Sequence, residues 1–142
     1  MTIAAQIEGY IMAQPEPKRS DMRTLHTAIL QAMPGCPLWF LDGKNDEGKT
    51  VSNPNIGYGL QNLPSAGGKT REFYQIGMSA NQIGISVYIL GIADKQFLAQ
   101  AYAHKIGKAS VSGYCIKFKS LEHIDLAVLL EAIRYGARQT SV

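Results

Sequence analysis

The sequence predicts an α+β domain, with helices packed on a mainly antiparallel five-stranded sheet, and three observations lead there. Arg71 to Leu90 (REFYQIGMSANQIGISVYIL) holds two runs of period two. Ile83, Ile85, Val87 and Ile89 alternate with Gly84, Ser86, Tyr88 and Leu90, and Tyr74, Ile76 and Met78 alternate with Phe73, Gln75 and Gly77. The polar stretch Ser79-Ala80-Asn81-Gln82 between them is short enough for an antiparallel hairpin, with Tyr74, Ile76 and Met78 on the face of the isoleucine row. Apolar residues then recur at helical spacing near both ends of the chain. A one-residue slip in the hairpin would turn the isoleucine row to water. Its other face, with Gln75, Gly77, Gly84, Ser86 and Tyr88, is small and polar, as a sheet face must be where another group approaches closely.

The elements follow in order. Ile3, Ile7, Tyr10 and Ile11 predict a short amphipathic helix over 2–13, ended by Pro15 and Pro17 and packed on the domain or on a second copy. Ser20 offers an N-cap to a helix over 21–33, with Met22, Leu25, Ile29, Ala32 and Met33 as its stripe and Pro34-Gly35 as its stop. His26, in that helix, reads as a packing or surface residue without a role. Leu38 to Leu41 predicts a first strand, Asp42 to Lys49 a polar turn, and Asn55 to Gln61 (NIGYGLQ) a second strand. After a Gly- and Ser-containing connection the hairpin supplies strands three and four. Asp94 can cap a helix over 95–103, which Gly107 ends. Gly113 to Lys119 (GYCIKFK) predicts a last strand, with Cys115, Lys117 and Lys119 on a wet or ligand-facing side, and Asp125 caps a final helix over 126–138. The expected order is ααββββαβα. Residues 1–142 form one domain, in which 1–19 are an N-terminal helix and Pro-containing linker and 20–138 the core.

A chain of 142 residues, 46% hydrophobic and 18% charged, can bury roughly 68–70% of its unfolded surface, so neither a disulfide nor a metal is needed for stability. Cys36 and Cys115 form no CxxC pair. The N-terminal residues MTIAAQIEGYIMAQPEP lack both a basic start and a long apolar run, so a cytoplasmic protein with no membrane partner is expected. A net charge of +3 is too small to indicate nucleic acid, which needs many clustered phosphate contacts. The charge is nonetheless uneven. From Lys95 through Leu121 there are five lysines and His104 but no carboxylate.

Gly43 to Thr50 (GKNDEGKT) matches the GxxxxGK[ST] phosphate-loop pattern after a strand, yet the helix that motif needs cannot start in Val51-Ser52-Asn53-Pro54, and Asp46 and Glu47 would face the phosphates. A charged hairpin turn is the better reading. The same turn lacks the central glycine and the final Glu of a calcium loop. The three histidines show no HxxxH or HExxH spacing, Cys36 has no base nearby in sequence, Cys115 lies in a strand, and the eleven carboxylates are scattered. No catalytic residue, cofactor or metal ligand is assigned. What stands out is His104 to Gly113 (HKIGKASVSG), where two lysines, two serines and glycine-released amides could form an anion-holding concavity.

Several stretches together resemble the YdhG-like domain of unknown function. They are Asn55-Ile56-Gly57-Tyr58-Gly59, Lys69-Thr70-Arg71-Glu72-Phe73, Ser86-Val87-Tyr88-Ile89, His104 to Lys108, and Gly113-Tyr114-Cys115-Ile116-Lys117-Phe118 followed by Ile124-Asp125, within residues 20–138. The resemblance implies a small α+β fold and little about function. One branch of that family is described as a frataxin-like iron chaperone, which would imply iron held by surface carboxylates. This net positive chain offers no acidic ridge for that.

The leading expectation is a non-catalytic or weakly catalytic binding domain for a small anionic ligand, seated between the spare sheet face and the 104–113 loop. Lys105, Lys108 and Ser110 would hold the anion, Arg71 and Tyr58 orient it, and Tyr88 line the floor. Iron delivery is one alternative and a nucleic-acid or protein-interaction module another. A homodimer through the N-terminal helix is a further expectation.

Overall fold

The computed structural model describes residues 1–141. Four helices, α1 (Ile3–Met12), α2 (Lys18–Ala32), α3 (Phe97–Tyr102) and α4 (Leu126–Gln139), accompany eight strands. The strands are β1 (Leu38–Leu41), β2 (Asn55–Tyr58), β3 (Gln61–Pro64), β4 (Thr70–Phe73), β5 (Ile76–Ala80), β6 (Ile85–Ile89), β7 (Ala109–Ser112) and β8 (Cys115–Phe118). Six form one antiparallel sheet in the order β1-β2-β5-β6-β8-β7, and β3 and β4 form a separate ribbon.

Alternation along the strands divides the sheet into two unlike faces. Ile76 pairs with Ile89, Met78 with Val87 and Ala80 with Ile85, so the apolar rows of β5 and β6 share one face. The row through Phe40, Ile56, Met78, Val87, Ile116 and Val111 continues that face across all six strands. The helices pack here. Met22, Leu25 and Ile29 of α2 and Leu129, Ala132 and Ile133 of α4 join the strand residues in one core. Each such side chain stabilises the fold by roughly 1.5–3 kcal/mol on burial. Gly136 lets α4 lie directly on Ile89.

The opposite face carries the rows Trp39-Gly57-Gly77-Tyr88-Cys115-Ser112 and Ser79-Ser86-Lys117-Ser110. No helix covers it. Over β2 and β5 it is roofed instead by an aromatic cluster, because the paired glycines Gly57 and Gly77 leave room for a ring. A methyl group added at Gly57 would lie 2.5 Å from the Tyr74 ring, and one at Gly77 2.7 Å from it. Tyr74 leans on Phe73, with ring centroids 4.2 Å apart, and Phe73 meets Trp39 edge-on at 5.9 Å.

Several expectations are corrected. The main sheet has six strands, not five. The 55–61 strand breaks at Gly59, whose φ of +86° only glycine takes easily, and the chain leaves the sheet to form the β3–β4 ribbon. The strand before the hairpin breaks in the same way: Tyr74 turns away from the isoleucine row onto the glycines, and Gln75 is buried as a brace, its amide donating to the Ala137 carbonyl and to Thr140 Oγ1. Within the supposed 104–113 loop, Ala109–Ser112 is an edge strand paired with β8. Helix α2 starts at Lys18, so Ser20 lies inside it, and the Glu16 carboxylate accepts from the Ser20 N–H and hydroxyl. The Asp94 helix is shorter than expected, whereas Asp125 caps α4 as expected, accepting from the Ala127 and Val128 N–H groups.

Helix α1 belongs to the core. Ile7 and Ile11 are buried, and the Tyr10 hydroxyl donates to the Pro54 carbonyl and accepts from the Ala80 N–H. Its large exposed apolar residues are Ile3 and Met12, a small surface for a second copy.

Gly77→Ala is expected to lower stability by about 1–3 kcal/mol by forcing the Tyr74 ring off the sheet. In urea unfolding of the Gly77→Ala and Tyr74→Ala double-mutant cycle, the double mutant should lose less stability than the sum of the two single losses.

Candidate functional site

The half of the helix-free face without an aromatic roof forms an open groove of about 840 Å³. Its floor is the paired segment Ser86, Lys117 and Ser110, with Tyr88 one step along β6. Lys108 enters from the start of β7 and Lys119 from the end of β8, while Asn53 and the β5–β6 turn, Asn81 to Ile83, close one end. Three lysines, two hydroxyl-bearing serines and three side-chain amides thus line the groove, and no carboxylate does. None of the three lysines is in an ion pair among the described residues.

The turn at the groove's end is held in place before any ligand arrives. Asn81 Oδ1 accepts from the N–H groups of Ile83 and Gly84, its Nδ2 donates to Ser86 Oγ at 2.7 Å, and its carbonyl accepts from Lys18 Nζ at 2.6 Å. Gly84 is required because a Cβ there would strike the Phe118 carbonyl of β8. Burial pushes the Tyr88 phenol above its ordinary value, so the phenol stays protonated. Tyr114, at the β7–β8 turn and 57% exposed, lies 6.0 Å from Tyr88 between ring centroids.

Of the six residues that the sequence suggested, the groove unites Lys108, Ser110 and Tyr88. The other three lie elsewhere, and the single cleft expected around Tyr58 does not form. Tyr58 is wholly buried on the helix side of the sheet, where its hydroxyl meets His26 Nδ1 at 2.6 Å. Lys105 stands above the Tyr102 ring, 3.7 Å from Glu131, on the helix layer. Arg71 lies on the β3–β4 ribbon, its guanidinium 4.7 Å from the Phe73 ring centroid. Lys117, Lys119 and Ser86 belong to the groove but were not singled out. The period-two pattern puts Ser86 on the small face and Lys117 and Lys119 on the wet side of the last strand, so their shared face was readable once β6 and β8 are neighbours.

Other chemistry is weakly provided for. Burial pushes both the Cys36 and Cys115 thiols up, away from a reactive thiolate. No group of three or more His, Cys, Asp or Glu side chains converges among the described residues. The phosphate-loop look-alike is a hairpin turn, with Asn45 Oδ1 accepting from the N–H groups of Glu47 and Lys49 and no helix after it. A smaller hollow of about 330 Å³ between α2 and α4 brings Arg134 and Arg138 near Cys36. Among the described residues no helix is long and apolar enough to cross a membrane.

Comparisons with protein-family models, curated proteins and solved structures found no match. The likeness to the YdhG-like domain therefore has only the short stretches quoted above behind it.

The His26–Tyr58 contact sets a pH dependence. Tyr58 keeps its proton because burial pushes its phenol far up, and its hydroxyl and His26 Nδ1 share one hydrogen bond. Burial holds the His26 imidazole below its ordinary value; Glu8 opposes the shift and Arg23 adds to it. Below about pH 6.5 the unfolded chain therefore takes up a proton that the folded chain resists. Stability is expected to fall as pH drops through that value toward the folded pKa, and His26→Gln should flatten this part of the profile in urea midpoints measured from pH 7.5 to 5.

Proposed function

We propose that this chain is a binding domain for a small anionic ligand, and that the ligand sits in the groove on the helix-free face. One observation supports this above the others: three lysines line the groove with no carboxylate among its lining residues. On an ordinary surface, charges of both signs intermix. Collecting ammonium groups without counter-charge costs repulsion, which a bound anion removes.

Lys108 and Lys117 approach the floor from adjacent strands, and Ser110, paired with Lys117, supplies a hydroxyl donor between them. Lys119 extends the positive field toward the β5–β6 turn. A phosphate or carboxylate there would accept charge-assisted hydrogen bonds, each contributing about 1.5–3 kcal/mol before solvent screening reduces it at so open a site. Tyr88 gives the ligand's uncharged part an apolar surface. Binding needs no covalent step, and the raised thiols and scattered carboxylates supply no evident acid, base or nucleophile.

Calorimetric titration of the full chain with pyrophosphate tests this. Binding is expected to weaken about three- to tenfold in Lys108→Ala and in Lys117→Ala, and to fall further as salt rises, while Lys105→Ala leaves it unchanged. Absence of binding, or equal loss in Lys105→Ala, would overturn the reading.

A further inference from the structure

Resting on the groove's reading as an anion site, the geometry points to a more specific ligand: a phosphate ester carrying a flat aromatic ring, of the nucleoside monophosphate class. The cationic half and the aromatic half of the site stand at a fixed offset. Lys117 pairs with Ser86, and Tyr88 lies two residues further along β6 on the same face. Side chains so placed are about 7–8 Å apart between backbones, within reach of one another's tips. A ligand gripped by Lys117 and Lys108 at one end therefore meets the Tyr88 ring at the other, with room between for a sugar.

The Tyr88 ring has one face to offer. On the β5 side the Tyr74 ring already fills the space above Gly77. On the β8 side Tyr114 stands beside Tyr88, tilted 37° from it, too close at 6.0 Å for another ring to enter between them. Tyr88 is thus braced from two sides, half-buried and fixed, with its groove-facing surface available for stacking. A rigid aromatic platform loses little conformational freedom when a base stacks on it.

The turn end of the groove, on the side of the lysines and away from Tyr88, carries groups suited to hydrogen-bond the phosphate or sugar rather than the ring. Gln82 and Asn53 each present an amide with both donor and acceptor character. The Asn81 amide is already committed to the turn and to Ser86, so it positions the others without serving the ligand. The groove's volume of about 840 Å³ falls inside the range, roughly 300–1,000 Å³, of sites that hold molecules of this size.

The test compares adenosine monophosphate with ribose 5-phosphate, which shares the phosphate and sugar but lacks the ring, by calorimetry on the full chain. The nucleotide is expected to bind about tenfold or more tighter. Tyr88→Leu should bring the ratio of the two affinities down to about one, and Tyr88→Phe should keep the preference. Equal binding of the two ligands, or a preference that survives in Tyr88→Leu, would overturn the stacking inference and leave the anion site standing. Failure of both ligands to bind would overturn the anion site as well. A single-stranded oligonucleotide binding about a hundredfold tighter than the mononucleotide would replace the small-molecule reading with a polymer one.

Discussion

The pairing of β5 with β6 is the constraint on which the rest of the structure depends. Its register sets Ile76 against Ile89 and Met78 against Val87 on one side, and Gly77 against Tyr88 and Ser79 against Ser86 on the other. Moving it by one residue would exchange the two sets, exposing the isoleucines and burying a tyrosine and two serines among aliphatic side chains. Several buried aliphatic residues, at roughly 1.5–3 kcal/mol each, oppose that slip. Because the register holds, the helices can occupy only one face, and the other is left with glycine, serine and tyrosine.

That second face is then divided by the aromatic residues around it. On the β2–β5 side two glycines face each other and a tyrosine ring descends on them from the β3–β4 ribbon, so the surface there is closed. On the β6–β8–β7 side that row continues as Tyr88, Cys115 and Ser112, and the next row, Ser86, Lys117 and Ser110, floors the open groove. The groove is where the aromatic roof stops. Its charge comes from the same alternation, since Lys117 must point away from the core wherever Ile116 and Phe118 point into it. The groove is in this sense a by-product of core formation, with no carboxylate among its lining residues.

Much of this was legible in the sequence and some was not. The class, the four helices, the hairpin and the polarity of its two faces follow from periodicity, and Asp125 could be recognised as a cap. Two breaks were hidden. Gly59 and the Tyr74-Gln75 pair lie inside runs that alternate without interruption, and only the positive φ of Gly59 and the buried hydrogen bonds of Gln61 and Gln75 show where the chain leaves the main sheet. That is why Tyr74 reads as core from its parity yet lies on the opposite face. That Lys108 and Ser110 lie together in the groove could be anticipated because a run without carboxylates is visible in one dimension. Tyr58 and Lys105 were misplaced because neighbours in sequence take opposite sides of a strand or layer. Tyr58 proves to be the partner of His26, a pairing of residues 32 positions apart that no local pattern signals.

The central claim is that an anion is held on the helix-free face between β6, β8 and β7. Mapping backbone amide shifts by NMR while phosphate is added tests it most directly. The account predicts that the largest changes fall at Ser86, Lys108, Ser110 and Lys117, with Tyr58 and Lys105 unmoved. Changes gathered instead around Arg134 and Arg138 of α4, or spread evenly over every exposed lysine, would contradict it.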